Sequence, residues 1–97
     1  MVRIENGSTL QANNSQIYVK GNFNNNGSLQ SGNSTITFNG SNKQRIKSTN
    51  SNFNNITVNK NDTLYLSGNI TVLNTLDFSA GMIQTTASDT LFLSGNL

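Results

Sequence analysis

An apolar-any-apolar triplet returns four times along this chain: Ile17-Tyr18-Val19, Ile36-Thr37-Phe38, Ile56-Thr57-Val58 and Leu76-Asp77-Phe78. Each begins one near-constant step after the last, an offset of roughly 20 residues, the scale of a small solenoid rung. Successive side chains of a β-strand point to opposite faces, so the outer members of each triplet share one face and the middle member points away. A near-constant offset brings each triplet beside the previous one if the chain winds into a solenoid with one such strand per turn. The spacing therefore predicts an inward ladder of Ile17, Val19, Ile36, Phe38, Ile56, Val58, Leu76 and Phe78, with Tyr18, Thr37, Thr57 and Asp77 outside.

Longer words repeat as well. Segment 10–22, LQANNSQIYVKGN, agrees with 29–41, LQSGNSTITFNGS, at six of 13 positions, and 61–69, NDTLYLSGN, returns at 88–96 as SDTLFLSGN. Two further ladders are indicated, one by Ile46 and Leu66, the other by Leu10 and Leu29 and by Ile70 and Leu91. The last has a gap near Ser48 to Ser51, where a polar loop is expected. Three strands per turn of ~20 residues leave about 6–7 residues a side. The fold expected is all-β: a right-handed parallel β-helix, or β-solenoid, with three short strands per rung. The whole of 1–97 reads as a single solenoid segment of about five rungs within a longer repetitive protein. A β-sandwich also has short strands and frequent turns, but it does not demand one offset through four triplets. The NFNN word, at 22–25 and again at 52–55, falls out of step with the turn and fits neither scheme.

The polar part of the chain supports the solenoid. Nineteen Asn with many Ser, Thr and Gly disfavour helix interiors, because these short side chains compete for backbone hydrogen bonds. Asn and Gly suit tight corners, and Asn amides of neighbouring rungs can stack, with Asn14 and Asn33 the expected pair. The charged share is 10% and the net charge +2, so self-repulsion does not hold the chain open. There is no Cys and no His, which removes disulfides and thiolate or imidazole metal sites, and no cofactor is expected. No run approaches the ~20 apolar residues of a membrane-spanning helix, so membrane insertion is not expected.

Order and wording also carry a resemblance. GNFNNNGSLQSGNSTITFNG, Gln44-Arg45-Ile46, FNNITVNK and LYLSGNITVLNTLDFSAGMIQT occur in sequence over residues 19–97. They resemble the repeats of very large secreted adhesin-like proteins of Gram-negative bacteria, whose repeats form right-handed parallel β-helices. The resemblance implies secretion, display on the bacterial cell surface and attachment. It brings no catalytic residues, and the chain lacks the signal peptide and sorting region of full-length members.

Candidate binding residues lie on the outward faces. Lys43, Arg45 and Lys47 alternate with Gln44 and Ile46, so on a strand the cations share the solvent face. Such a stripe either docks anionic glycan or is a solvated face that discourages sideways aggregation. Tyr18, Tyr65 and Phe92 each stand between two inward apolar residues and so face outward, where aromatic rings stack on sugars or simply favour strands. Nucleic acid is disfavoured, with six basic residues and no stacking platform. Three functional classes follow: a rigid extracellular spacer or stalk that associates end to end, a glycan-binding module, and a polysaccharide-cleaving β-helix.

The third class lacks its acids. Only Glu5, Asp62, Asp77 and Asp89 are present. Asp62 and Asp89 are about one and a third turns apart in a solenoid of ~20 residues per turn, which puts them on different sides. A carboxylate pair works across roughly 5–10 Å. Each Asp is better placed to accept hydrogen bonds from turn amides. Reducing-end release from acidic and neutral polysaccharides is expected to stay at background; turnover abolished by Asp62→Asn or Asp89→Asn would overturn this.

Overall fold

The computed structural model describes residues 1–86 and 89–95, with the side chains of 49 and 50 left aside. Eight strands follow in chain order: β1 (Val2–Ile4), β2 (Thr9–Gln11), β3 (Gln16–Val19), β4 (Phe23–Asn25), β5 (Ser28–Gln30), β6 (Thr35–Phe38), β7 (Gln44–Thr85) and β8 (Leu91–Leu93). Among the described residues there is no helix, and every pairing between strands is parallel. The chain is a parallel β-solenoid of about four turns.

The register follows the repeat. Ile17, Ile36 and Ile56 are successive partners, as are Val19, Phe38 and Val58. Leu10 pairs with Leu29, and Ile70 with Leu91. On the remaining side Val2, Phe23 and Ile46 align, and the second of these steps is the longer. β7 cannot be straight. Forty-two extended residues would reach about 140 Å at ~3.3 Å per residue, yet the molecule's longest extent is 32 Å. The strand winds with the solenoid, and at Gly68 and Gly81 its backbone takes φ of 97° and 107°, which side-chain-bearing residues rarely adopt.

Phenylalanine fills the interior. Phe23, Phe38 and Phe53 are fully buried. Phe23 meets Phe38 edge-on at 6.4 Å between ring centres and 75°, and meets Phe53 at 5.4 Å and 58°. This explains the repeated NFNN word. Its two copies lie on different sides of the solenoid, β4 and the stretch leading into Ile56, and their Phe rings converge from those sides.

Burial of the triplet ladder is uneven at its two ends, where Val19 and Leu76 are buried and their triplet partners are not. Ile36 and Ile56 are buried, but Ile17, in edge strand β3, is only half-buried. Phe78 was expected inside and is 42% exposed, because no described turn covers it. Thr37 was expected outside and is buried, flanked in its column by Tyr18 and Thr57. Tyr18 and Asp77 are exposed as expected.

Two polar expectations are also revised. Residues 48–51 are not a loop but part of β7, with Ser48 and Ser51 buried. Their hydroxyls bond to each other, and the Asn25 amide donates to Ser51 Oγ at 3.0 Å, so polar groups pair where the apolar ladder lapses. Asn14 and Asn33 are both exposed, and no side-chain hydrogen bond joins them among the described residues. Amide pairing occurs instead between Gln11 and Gln30 (3.1 Å), and along Thr35, Asn55 and Asn74 (3.1 and 2.8 Å).

The longer step from Phe23 to Ile46 contains a corner between β6 and β7 that is two residues longer than its counterpart between β3 and β4, and Gln44 closes it. Its Nε2 donates to the carbonyls of Val19 (2.8 Å) and Gly21 (2.6 Å), while its Oε1 accepts from Gly40 N–H (2.8 Å). One side chain thereby satisfies three backbone groups of two turns. Gly40 is required there, since a Cβ would stand 2.2 Å from the Lys20 carbonyl oxygen. Gln44→Leu keeps the volume and orphans the Gly21 carbonyl and the Gly40 N–H, at about 1–3 kcal/mol for each group left dry, while the Val19 carbonyl keeps the Asn39 N–H. Phe38→Ala is expected to cost about 3–5 kcal/mol. Chemical denaturation of both variants checks this, and an unchanged midpoint for Gln44→Leu would remove the clamp from the account.

Candidate functional site

Position and alternation decide which candidate residues meet. β7 begins at the corner held by Gln44, and from there Ile46 turns into the core at 0% exposure while Arg45 and Lys47 face solvent. The Arg45 backbone N–H is fixed by Asn22 Oδ1 at 3.0 Å, which sets the start of this outward row against the turn before it. Lys47 aligns with Asn24 and, one turn further, with Arg3.

The next turn brings Tyr65 and Ser67 alongside. Leu64 and Leu66 are buried, so Tyr65 and Ser67 fall on the outward face, both half-buried. Two clefts open here and share Ser67. The larger, about 360 Å³, is lined by Lys47, Asn26, Asn69 and Asp89 among others. The smaller, about 200 Å³, is lined by Arg45, Tyr65, Gln84, Thr85 and Thr86 among others. Together they form a shallow groove of mixed polar and apolar surface across neighbouring turns.

Charge in the groove is unbalanced. The ion pair found among the described residues is Arg3–Glu5 at 3.8 Å, between exposed side chains, where screening leaves little energy. Arg45 and Lys47 therefore have no carboxylate within ion-pairing distance among the described residues. Asp89 lines the Lys47 cleft without pairing to Lys47, and its Oδ2 accepts from the Thr86 hydroxyl.

Of the six residues expected to bind ligand, the fold gathers Arg45, Lys47 and Tyr65. Tyr18 is exposed on the β3–β6 side, where it aligns with Thr37. Phe92 is exposed on β8 opposite Thr71, and Lys43 lies exposed in the corner ahead of β7, outside the groove lining. Sequence reasoning missed Asn26, Asn69, Gln84 and Asp89 as groove residues. Asn69 and Asp89 do lie in or beside the repeated DTL-x-LSGN words, but a word does not say which side of a turn it occupies.

Two other charged groups, Asp62 and Lys60, have local partners. Asp62 Oδ1 accepts from Thr63 N–H at 2.7 Å, a local backbone amide as expected, though within β7 and not in a turn. Lys60 is the buried cation among the described residues, at 4% exposure, and its Nζ donates to the Asn42 carbonyl at 2.6 Å. It ties the longer corner to the turn that follows. No protein-family model, curated protein or solved structure matches the chain.

Proposed function

We propose that this chain is a non-catalytic structural and adhesive segment of the bacterial cell surface, a rigid extracellular spacer that associates end to end. The observation that carries the reading is the unbroken parallel register from β3 through β6 into β7. Hydrogen bonds in such a stack run along the solenoid axis, so stretching or bending it breaks many together. An Asn-, Ser- and Thr-rich chain without Cys, similar in wording to adhesin-like repeats, suits that use.

End-to-end joining rests on what the terminal turns leave open. β1 and β3 are edge strands at one end, and β8 pairs with β7 alone at the other. Edge strands recruit further strands. Leu73, Phe78 and Met82 are exposed along the later part of β7. Phe78 stands one period after Val58, in the series whose earlier members Val19, Phe38 and Val58 are buried. A second copy laid on this face would repeat the native stacking, a heterologous contact that propagates. The groove favours a second role on the same scaffold, recognition of glycans.

Sedimentation over a range of concentrations tests the assembly. The weight-average mass is expected to rise above the 10.5 kDa of one chain, and Phe78→Asp to return it to that value. A strictly monomeric wild-type chain at high concentration would count against end-to-end association.

A further inference from the structure

We infer that the groove shared by Arg45, Lys47 and Tyr65 is a binding site for an acidic saccharide, one bearing carboxylate or sulfate groups; this rests on the glycan-recognition reading. Three features converge. Arg45 and Lys47 are two outward cations on one strand, about 7 Å apart at ~3.4 Å per residue, and neither has an acidic partner among the described residues. Against them the groove holds one carboxylate among the described residues, Asp89, so its balance favours an anion.

The surrounding chemistry selects a sugar over a bare anion. Amides of Asn26, Asn69 and Gln84 and the hydroxyl of Ser67 line the two clefts. Such groups donate to and accept from ring hydroxyls, each able to do both. Asp89 adds an acceptor at the far side, steadied by Thr86. Tyr65, half-buried between buried Leu64 and Leu66, offers an aromatic ring held by its strand. A pyranose matches this arrangement: its C–H face lies on the ring of Tyr65, its hydroxyls meet the amides, and its acid group faces the cations. Arg45 suits the acid group best, because a guanidinium grips carboxylate or sulfate through two parallel hydrogen bonds. The two clefts meet at Ser67, so an extended oligosaccharide passes from the Arg45 side to the Lys47 side.

The exposure of both cations sets the scale. Exposed ionic contacts are individually weak, so removing both lowers affinity by about 2- to 30-fold. Salt has a matching effect, since charges at the surface are screened over about 8–10 Å at moderate ionic strength.

Titration calorimetry on the 97-residue chain decides. The probes are an oligogalacturonate, a heparin-derived oligosaccharide, a neutral malto-oligosaccharide and polyglutamate. Binding of either acidic saccharide is expected, weakened severalfold by Arg45→Gln/Lys47→Gln and by Tyr65→Ala, and weakened by added salt. The first two probes separate carboxylate from sulfate as the preferred acid. Thermal melts of the variants confirm that the solenoid persists. Binding of the neutral oligosaccharide alone would overturn the acidic specificity while sparing glycan recognition. Silence with every saccharide would overturn both. Equal binding of polyglutamate, insensitive to Tyr65→Ala, would make the groove a mere charge patch and also overturn the proposal.

Discussion

Main-chain hydrogen bonding between successive turns is the constraint on which this molecule rests. Each described strand finds its partner one turn away, always parallel and close to one repeat along the chain. Because pairing is in register, a residue stacks on its equivalent, and the character of a column is decided once for several turns. Isoleucine on isoleucine on isoleucine is the clearest case, at 17, 36 and 56. A chain with only 33% hydrophobic residues acquires a core in this way, since the few apolar side chains are gathered into columns. The same logic governs polar columns, where Gln11 meets Gln30 and Asn55 meets Asn74.

Departures from the regular period are handled by single polar side chains. The longer corner before β7 leaves backbone groups turned inward, and buried donors and acceptors must be paired. Gln44 does this for three of them, while Lys60 reaches back to the Asn42 carbonyl. Where the third apolar column lapses, Asn25, Ser48 and Ser51 complete one another. These buried polar groups hold the irregular turns in the common register, and the outward row of β7 inherits its position from them.

The groove follows from that placement. Arg45 stands directly after Gln44, so the residue that clamps the corner also aims the first cation. Alternation along the strand then puts Lys47 on the same side, and the following turn contributes Tyr65 and Ser67. A structural scaffold and a recognition surface are compatible here because inward and outward residues of one strand are independent of each other.

The periodic triplets and the composition by themselves determined the parallel solenoid, the pairing of Ile17, Ile36 and Ile56, and the outward direction of Arg45, Lys47 and Tyr65. Those features depend on alternation and on offset, both of which are local or nearly so. Tertiary structure alone decided the rest. Phe53 could not be assigned from its word, because the side of a turn that a word occupies depends on how many residues each earlier corner consumed. Phe78 and Ile17 carry the same pattern as Phe38 and Ile36, yet they are less buried while Val19 and Leu76 beside them are covered, since a pattern states one residue's preference and not what packs over it. Gln44 read as a neutral spacer between cations, and its three partners come from Val19, Gly21 and Gly40, contacts made only once the turns are stacked. The groove likewise joins Asn26, Lys47, Tyr65 and Asp89 from successive turns, and sequence distance carries no information about that meeting until the winding is fixed.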